Sequence, residues 1–250
     1  MTKQSELIKA MIRYDHGDPK RIQHFLKVHS LAKTIGEMED IPSEMLFILE
    51  TASITHDIGI HISEEKYGHC SGKMQELEGP GEAETLLKQL SYPPEVIDRV
   101  CWLISHHHTY DAISSLDHQI LVEADFLVNL YEDQASKETV INAYRSIFRT
   151  ESGKLLCSEM FDLNESGDGA AAYETAAAGS PSPYDQAKLV EGYAATDRCV
   201  LCRTCIDVCP VQCISGARKP VYINQELCLH CGTCASVCDH NAILPIRTSR

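Results

Sequence analysis

The chain opens with apolar residues at helical spacing. Leu7, Ile8, Met11 and Ile12 share one face of a segment over residues 5–14. Asp18-Pro19 is a helix start, an acid at the cap followed by proline in the first turn. Behind it, Ile22, Phe25, Leu26, His29 and Ala32 mark one side of a helix reaching about residue 39. His24, Val28, Leu31 and Ile35 mark the adjacent side. Ser43 is expected to cap the next helix, through Met45, Leu46, Ile48, Leu49 and Ala52 to His56-Asp57. Gly59, Gly68, Gly72, Gly79 and Pro80 then break the pattern, and 59–80 reads as a loop. Helical spacing returns over 81–90 and 94–108, the second opened by Pro93-Pro94 and closed by His106-His107-His108. Asp117 is expected to cap a helix carrying Ile120, Leu121, Ala124, Asp125 and Leu127. Ser136 caps another through Val140, Ile141, Tyr144 and Ile147. No strand pattern precedes residue 200, so the first 160 residues read as an all-α bundle.

The style then changes twice. Residues 164–195 are dominated by Gly, Ala, Ser and Pro, too small and too polar to form a core, and 163–196 reads as a linker. Beyond it a repeat appears. Cys199-x2-Cys202-x2-Cys205-x3-Cys209 recurs 29 residues later as Cys228-x2-Cys231-x2-Cys234-x3-Cys238, and Val221–Asn224 reads as a short strand before the second copy. The expected organisation is therefore a helical domain over 1–162, the linker, and a small pseudo-twofold domain over 197–250.

Charge divides along the same line. Residues 1–196 carry 32 acidic against 16 basic side chains, and residues 197–250 carry 4 against 6. An acidic main lobe repels a phosphate backbone, which excludes nucleic acid as the expected partner. No apolar run reaches the length of a membrane span, and the N-terminal stretch has charges where a secretion signal would be apolar. The expectation is a cytoplasmic protein with no membrane partner. Nine of the twelve cysteines lie within 199–238, eight of them in the repeat, which points to metal in a reducing compartment rather than to disulfides. Cys70, Cys101, Cys157 and Cys213 read as ordinary thiols.

Three thiolates from a tight loop with a fourth reaching across is the ligation of bacterial double-cluster ferredoxins, which residues 197–250 resemble along their full length, including Cys209-Pro210. The resemblance implies a small α+β domain with two 4Fe-4S clusters. Cluster one would take Cys199, Cys202, Cys205 and Cys238. Cluster two would take Cys228, Cys231, Cys234 and Cys209. Asp239 replaces the second proline, and Cys213 stands where the other copy has Ala242; neither change removes a ligand. Zinc also takes four cysteines, but two zinc sites seldom repeat this spacing with its proline.

The helical part offers His24, the adjacent pair His56-Asp57, the run His106-His107-His108, and Asp125. Imidazole and carboxylate suit a divalent ion, and neighbours on a helix point about 100° apart, so other helices must complete the site. This order resembles the HD-domain metal-dependent phosphohydrolases. Arg21-Ile-Gln-His24-Phe-Leu-Lys-Val28 matches the first helix of that family, His56-Asp57-Ile-Gly its signature turn, and Glu123-Ala-Asp125 its last-ligand segment. The resemblance implies one ion on His24, His56, Asp57 and Asp125, with Asp57 and Arg21 in catalytic roles. The dinuclear members that cleave diadenosine tetraphosphate add histidines from His-Gly-Pro and His-Thr steps. Here those steps are Glu78-Gly79-Pro80 and His108-Thr109, so Glu78, His107 and His108 are the candidates for a second ion. Iron, manganese and zinc all suit such ligands. Arg21, Lys27, Lys66 and Lys73 are candidates to hold phosphate. His16, His69 and His118 read as solvated, and His29 and His61 as undecided.

The whole-chain reading is a metal-dependent phosphohydrolase acting on a nucleotide or another small phosphate ester, joined to an electron-transfer domain that couples activity to redox state. A redox partner protein would supply its electrons. Two alternatives stay open: an HD-fold di-iron oxidoreductase fed by the ferredoxin domain, and a non-catalytic HD sensor or docking module on an electron carrier.

Overall fold

A computed structural model describes residues 1–110, 112–163, 192–217 and 219–246. Most of the expected linker lies outside the described residues. These residues form two compact units, Met1–Gln134 with Ile147–Leu156, and Ala135–Ser146 with Cys157–Arg250.

The first unit holds helices α1 (Lys3–Tyr14), α2 (Pro19–Met38), α3 (Ser43–Thr55), α4 (Gly59–Tyr67), α5 (Gly72–Gln89), α6 (Pro94–Ile104) and α7 (Leu116–Glu132), and the first part of α9 (Glu151–Met160). α2 packs on both α3 and α7, while α5 packs on α4 and α6. Phe25, Val28, Ile35, Leu49, Ile54, Leu103 and Ile120 form the core. Each such side chain contributes about 1.5–3 kcal/mol when fully buried. Helix α7 is buried on every side from Asp117 to Val128, which makes it the central helix and forces its three buried acids, Asp117, Glu123 and Asp125, to find partners.

Local signals placed several helix ends. Asp18 accepts from the Arg21 amide at the start of α2 (3.1 Å), and Ser136 accepts from the Thr139 amide (3.2 Å) at the start of α8 (Lys137–Ser146). Other expectations need correction. Pro42, not Ser43, occupies the cap of α3. Ser115 occupies the cap of α7, because Asp117 turns to the Arg99 guanidinium at 2.7 and 2.8 Å.

The larger correction concerns 59–80, which contains α4 and the first half of α5 rather than a loop. Its glycines serve close packing. A Cβ on Gly59 would sit 2.7 Å from the Gly79 amide, and one on Gly79 would sit 2.7 Å from Ile104 Cγ2. Only Gly68, at φ +70°, ends a helix in the left-handed region. Pro80 lies inside α5.

The second unit contains α8, the end of α9, and a small domain with the two cysteine runs. There, strand β1 (Tyr193–Ala195) pairs antiparallel with β4 (Ile243–Pro245), and β2 (Ile214–Ser215) pairs with β3 (Tyr222–Ile223). Short helices α10 (Thr204–Asp207) and α11 (Thr233–Ser236) pack together. The 29-residue repeat is written into the backbone. Leu201 and His230, Arg203 and Gly232, and Gln212 and Asn241 all have positive φ. β1 corrects the expectation of no strand before residue 200. It is the counterpart of β3, which lies one repeat later.

Candidate metal centres

Helices α2, α3 and α7 bring the first set of ligands together. His24 Nε2 lies 3.4 Å from Asp57 Oδ2, 3.2 Å from Asp125 Oδ1 and 3.3 Å from His56 Nε2. His56 Nε2 is 3.5 Å from the same two carboxylate oxygens. Atoms bound about 2.1 Å from one ion stand roughly 3.0–3.4 Å from each other in octahedral or tetrahedral geometry, so His24, His56 and Asp57, whose ligand atoms all lie within 4.8 Å of one another, suit a shared ion, with Asp125 beside the two histidines.

The outward ring nitrogens fix how these imidazoles point. His24 Nδ1 donates to Glu132 Oε2 (3.0 Å), and His56 Nδ1 donates to the Ser53 carbonyl (2.9 Å). Both leave Nε2 facing the cluster, as metal-bound histidines require. Burial opposes charge on these rings, yet Asp125, Glu132 and Asp57 outweigh it and push His24 up to about 10. Asp57 and Asp125 raise His56 against the same burial. Burial would raise Asp57, but the His56 charge and the His107 hydrogen bond hold it well below the usual carboxylate range. Asp125 is likewise lowered against burial by His24 and His56. The site is an anionic pocket that attracts positive charge.

A second triad shares Asp57. Ligand atoms of Asp57, His107 and His108 lie within 4.8 Å of one another. Asp57 turns Oδ2 to His24 and His56, and Oδ1 to His107 Nε2 at 3.8 Å. His107 Nδ1 donates to the Ile104 carbonyl (2.7 Å). Burial and the neighbouring His107 push His108 down to about 3, which keeps it neutral and able to bind metal.

Glu78 is not brought to this triad. Its carboxylate bonds Lys66 (2.5 Å) and the Tyr67 hydroxyl (2.7 Å). One turn earlier on α5, Gln75 Oε1 lies 2.9 Å from His108 Nε2 and 3.3 Å from His107 Nε2. Gln75 is one residue that sequence reasoning missed. Its only signal is its place one helical turn before Glu78. Glu132 was missed as well, although it sits two turns after Asp125 on the same face of α7. Glu132→Gln is expected to weaken metal binding about 10- to 100-fold, as loss of an outer partner of a ligand histidine does. Competition against a fluorescent chelator would show it, and unchanged affinity would remove Glu132 from the site.

The remaining candidates have other partners. The Arg21 guanidinium is engaged by Glu64 (2.6 Å), His61 and Asp18. Lys27 pairs with Glu132, and Lys73 with Glu76. His29 pairs with Glu50 (3.0 Å). His118 is buried rather than solvated, and its Nε2 donates to the His106 carbonyl. His16 is exposed and His69 half-buried.

Residues 21–157 match the family model of the HD domain, and this span is more than half of the chain. The protein belongs to the HD-domain family. Residues 195–215 and 221–244 match the 4Fe-4S binding domain. No curated protein and no solved structure matches the chain.

The second match covers all eight repeat cysteines of this HD-domain protein. Backbone amides of His230 and Ala242 donate to Cys228 and Cys238 sulfurs at 3.4 and 3.3 Å. No helix among the described residues is long and apolar enough to cross a membrane.

Proposed function

We propose that the HD domain hydrolyses a small phosphate ester, such as a nucleotide, and that the tail carries electrons on two 4Fe-4S clusters. The observation that supports this reading is the convergence of His24, His56, Asp57 and Asp125 from three helices and one turn, with each histidine anchored through Nδ1. His24, His56, Asp57 and Asp125 would hold one divalent ion, and Asp57, His107 and His108 a second, with Gln75 beside it. A bound divalent ion supplies hydroxide by lowering the pKa of water to about 7, and it neutralises phosphoryl oxygens. Asp57, which offers one oxygen to each triad, orients both halves of the site. Arg21 ties α2 to α4 through Glu64 and His61, and so positions the turn that carries Asp57 rather than reaching toward phosphate alone. The acidic lobe favours a small, metal-neutralised substrate over nucleic acid. A partner protein would deliver electrons to the tail in the cytoplasm.

The test is an anaerobic hydrolysis screen with manganese, iron or zinc, using p-nitrophenyl phosphate and nucleoside mono- to tetraphosphates. Each assay is run with the clusters oxidised and reduced. Turnover of at least one ester that chelator abolishes and metal restores is expected, with a rate that differs between redox states. Equal rates would remove the coupling and leave the hydrolase. A metal-loaded protein that cleaves nothing would turn the reading to a sensor, and oxygen uptake driven by substrate would turn it to a di-iron oxidoreductase.

A further inference from the structure

We infer that the Cys213 thiol donates a hydrogen bond to Cys209 Sγ and raises the reduction potential of the cluster held by Cys209, Cys228, Cys231 and Cys234. The inference rests on the reading that the repeat cysteines bind two 4Fe-4S clusters. The two sulfurs are 3.4 Å apart, within the reach of a sulfur hydrogen bond. A cluster-bound Cys209 is a thiolate, so the only proton in the pair belongs to Cys213. Cys213 is buried, which keeps water from competing for that bond.

The internal repeat supplies the comparison. Cys213 corresponds to Ala242, which has no side-chain donor; at the equivalent sulfur, Cys238 receives the Ala242 amide alone among the nearby side-chain and backbone groups of that residue. At these two equivalent sulfurs the copies therefore differ by one side-chain donor, besides the exchange of Pro210 for Asp239. Hydrogen bonds to ligand sulfur favour the reduced, more negative cluster and are one of the controls on its potential. A net hydrogen bond corresponds to roughly a two- to tenfold change in an equilibrium constant. For a one-electron couple, tenfold is about 59 mV. Solvent exposure also sets potentials, and Cys202 of the other cluster is exposed. A substitution at Cys213 leaves that exposure in place and isolates the hydrogen bond.

The experiment is an anaerobic redox titration of the full chain, followed by electron paramagnetic resonance, with Cys213→Ala and Cys213→Ser beside the unsubstituted protein. Alanine is compatible with this turn, since Ala242 fills the equivalent place. In Cys213→Ala, one midpoint is expected to fall by the equivalent of a two- to tenfold change while the other stays. Cys213→Ser, which keeps an O–H donor, should return most of the shift. Unmoved midpoints in a variant that retains about eight iron and eight sulfide would overturn the inference, as would equal shifts in the Ala and Ser variants. Absence of iron and sulfide from the unsubstituted protein would overturn the cluster reading beneath it, and shows in the analysis before any titration.

Discussion

On the proposed function, His56→Ala is expected to abolish phosphate-ester hydrolysis, with a loss of roughly 10³-fold or more, because the ion that would generate the nucleophile loses a ligand. His56 is completely buried, and its Nε2 faces both Asp57 and Asp125 at 3.5 Å. Without it, the two carboxylates keep only His24 as a nitrogen partner at that position. The variant should therefore purify with less metal in the helical domain, while the iron and sulfide of the tail remain. His29→Ala is the matching control. That histidine lies on α2 near His24 but pairs with Glu50, so its loss should leave metal content and turnover close to the starting values. Retention of more than a tenth of the activity by His56→Ala, with full metal occupancy, would show that the cluster of ligands is not the catalytic centre.

The second large effect concerns stability. Glu123→Ala is expected to destabilise the helical unit by about 3–5 kcal/mol, since it leaves several buried donors without an acceptor. Glu123 is wholly buried. Its Oε1 accepts from Gln119 Nε2 (2.8 Å) and from the Arg149 and Thr150 amides (2.6 and 2.9 Å), and its Oε2 from the Thr150 hydroxyl. Those amides stand just before α9, so the carboxylate ties the start of that helix to α7. Burial raises the Glu123 carboxyl above its ordinary value in spite of these donors. Glu123→Gln keeps an amide oxygen for the Gln119, Arg149 and Thr150 donors and should cost only about 1 kcal/mol. Denaturant unfolding of the two variants would check the order. Equal and small effects would mean that α9 is held by packing alone.

Glu123 and Asp125 also show how far the sequence could be followed. Both stand in Glu123-Ala-Asp125, and the segment is legible as the last ligand of a metal site. Two residues apart on a helix, however, they point to opposite sides. Asp125 meets His24 and His56, whereas Glu123 meets the start of α9. The choice was made by what packs on each side of α7. Glu78 and Gln75 differ in the same way. The Gly-Pro step drew attention to Glu78, but Lys66 and Tyr67 on α4 hold its carboxylate, and Gln75 one turn earlier faces the histidines.

Several features needed no tertiary information. The caps at Asp18 and Ser136 are local hydrogen bonds between residues three apart. The cysteine repeat carries its own geometry, because its spacing and its left-handed residues recur every 29 positions. The same period, applied to the Val221–Asn224 strand, leads to Tyr193–Ala195, where β1 lies. The glycines of 59–80 were opaque for a different reason. A glycine that ends a helix and one that lets two helices touch look alike in one dimension, and only the neighbour opposite separates them.

By itself the sequence determined the helical character of the first 160 residues, the two-domain composition, the His-Asp and cysteine motifs and the short-range caps. Each of these depends on chemistry within a turn or two of chain. The tertiary structure decided which polar side chains share a pocket. Four helices lie between His24 on α2 and Asp125 on α7, yet their ligand atoms are 3.2 Å apart. That distance is set by the packing of α2 against α3 and α7, and buried carboxylates take whichever partners that packing delivers.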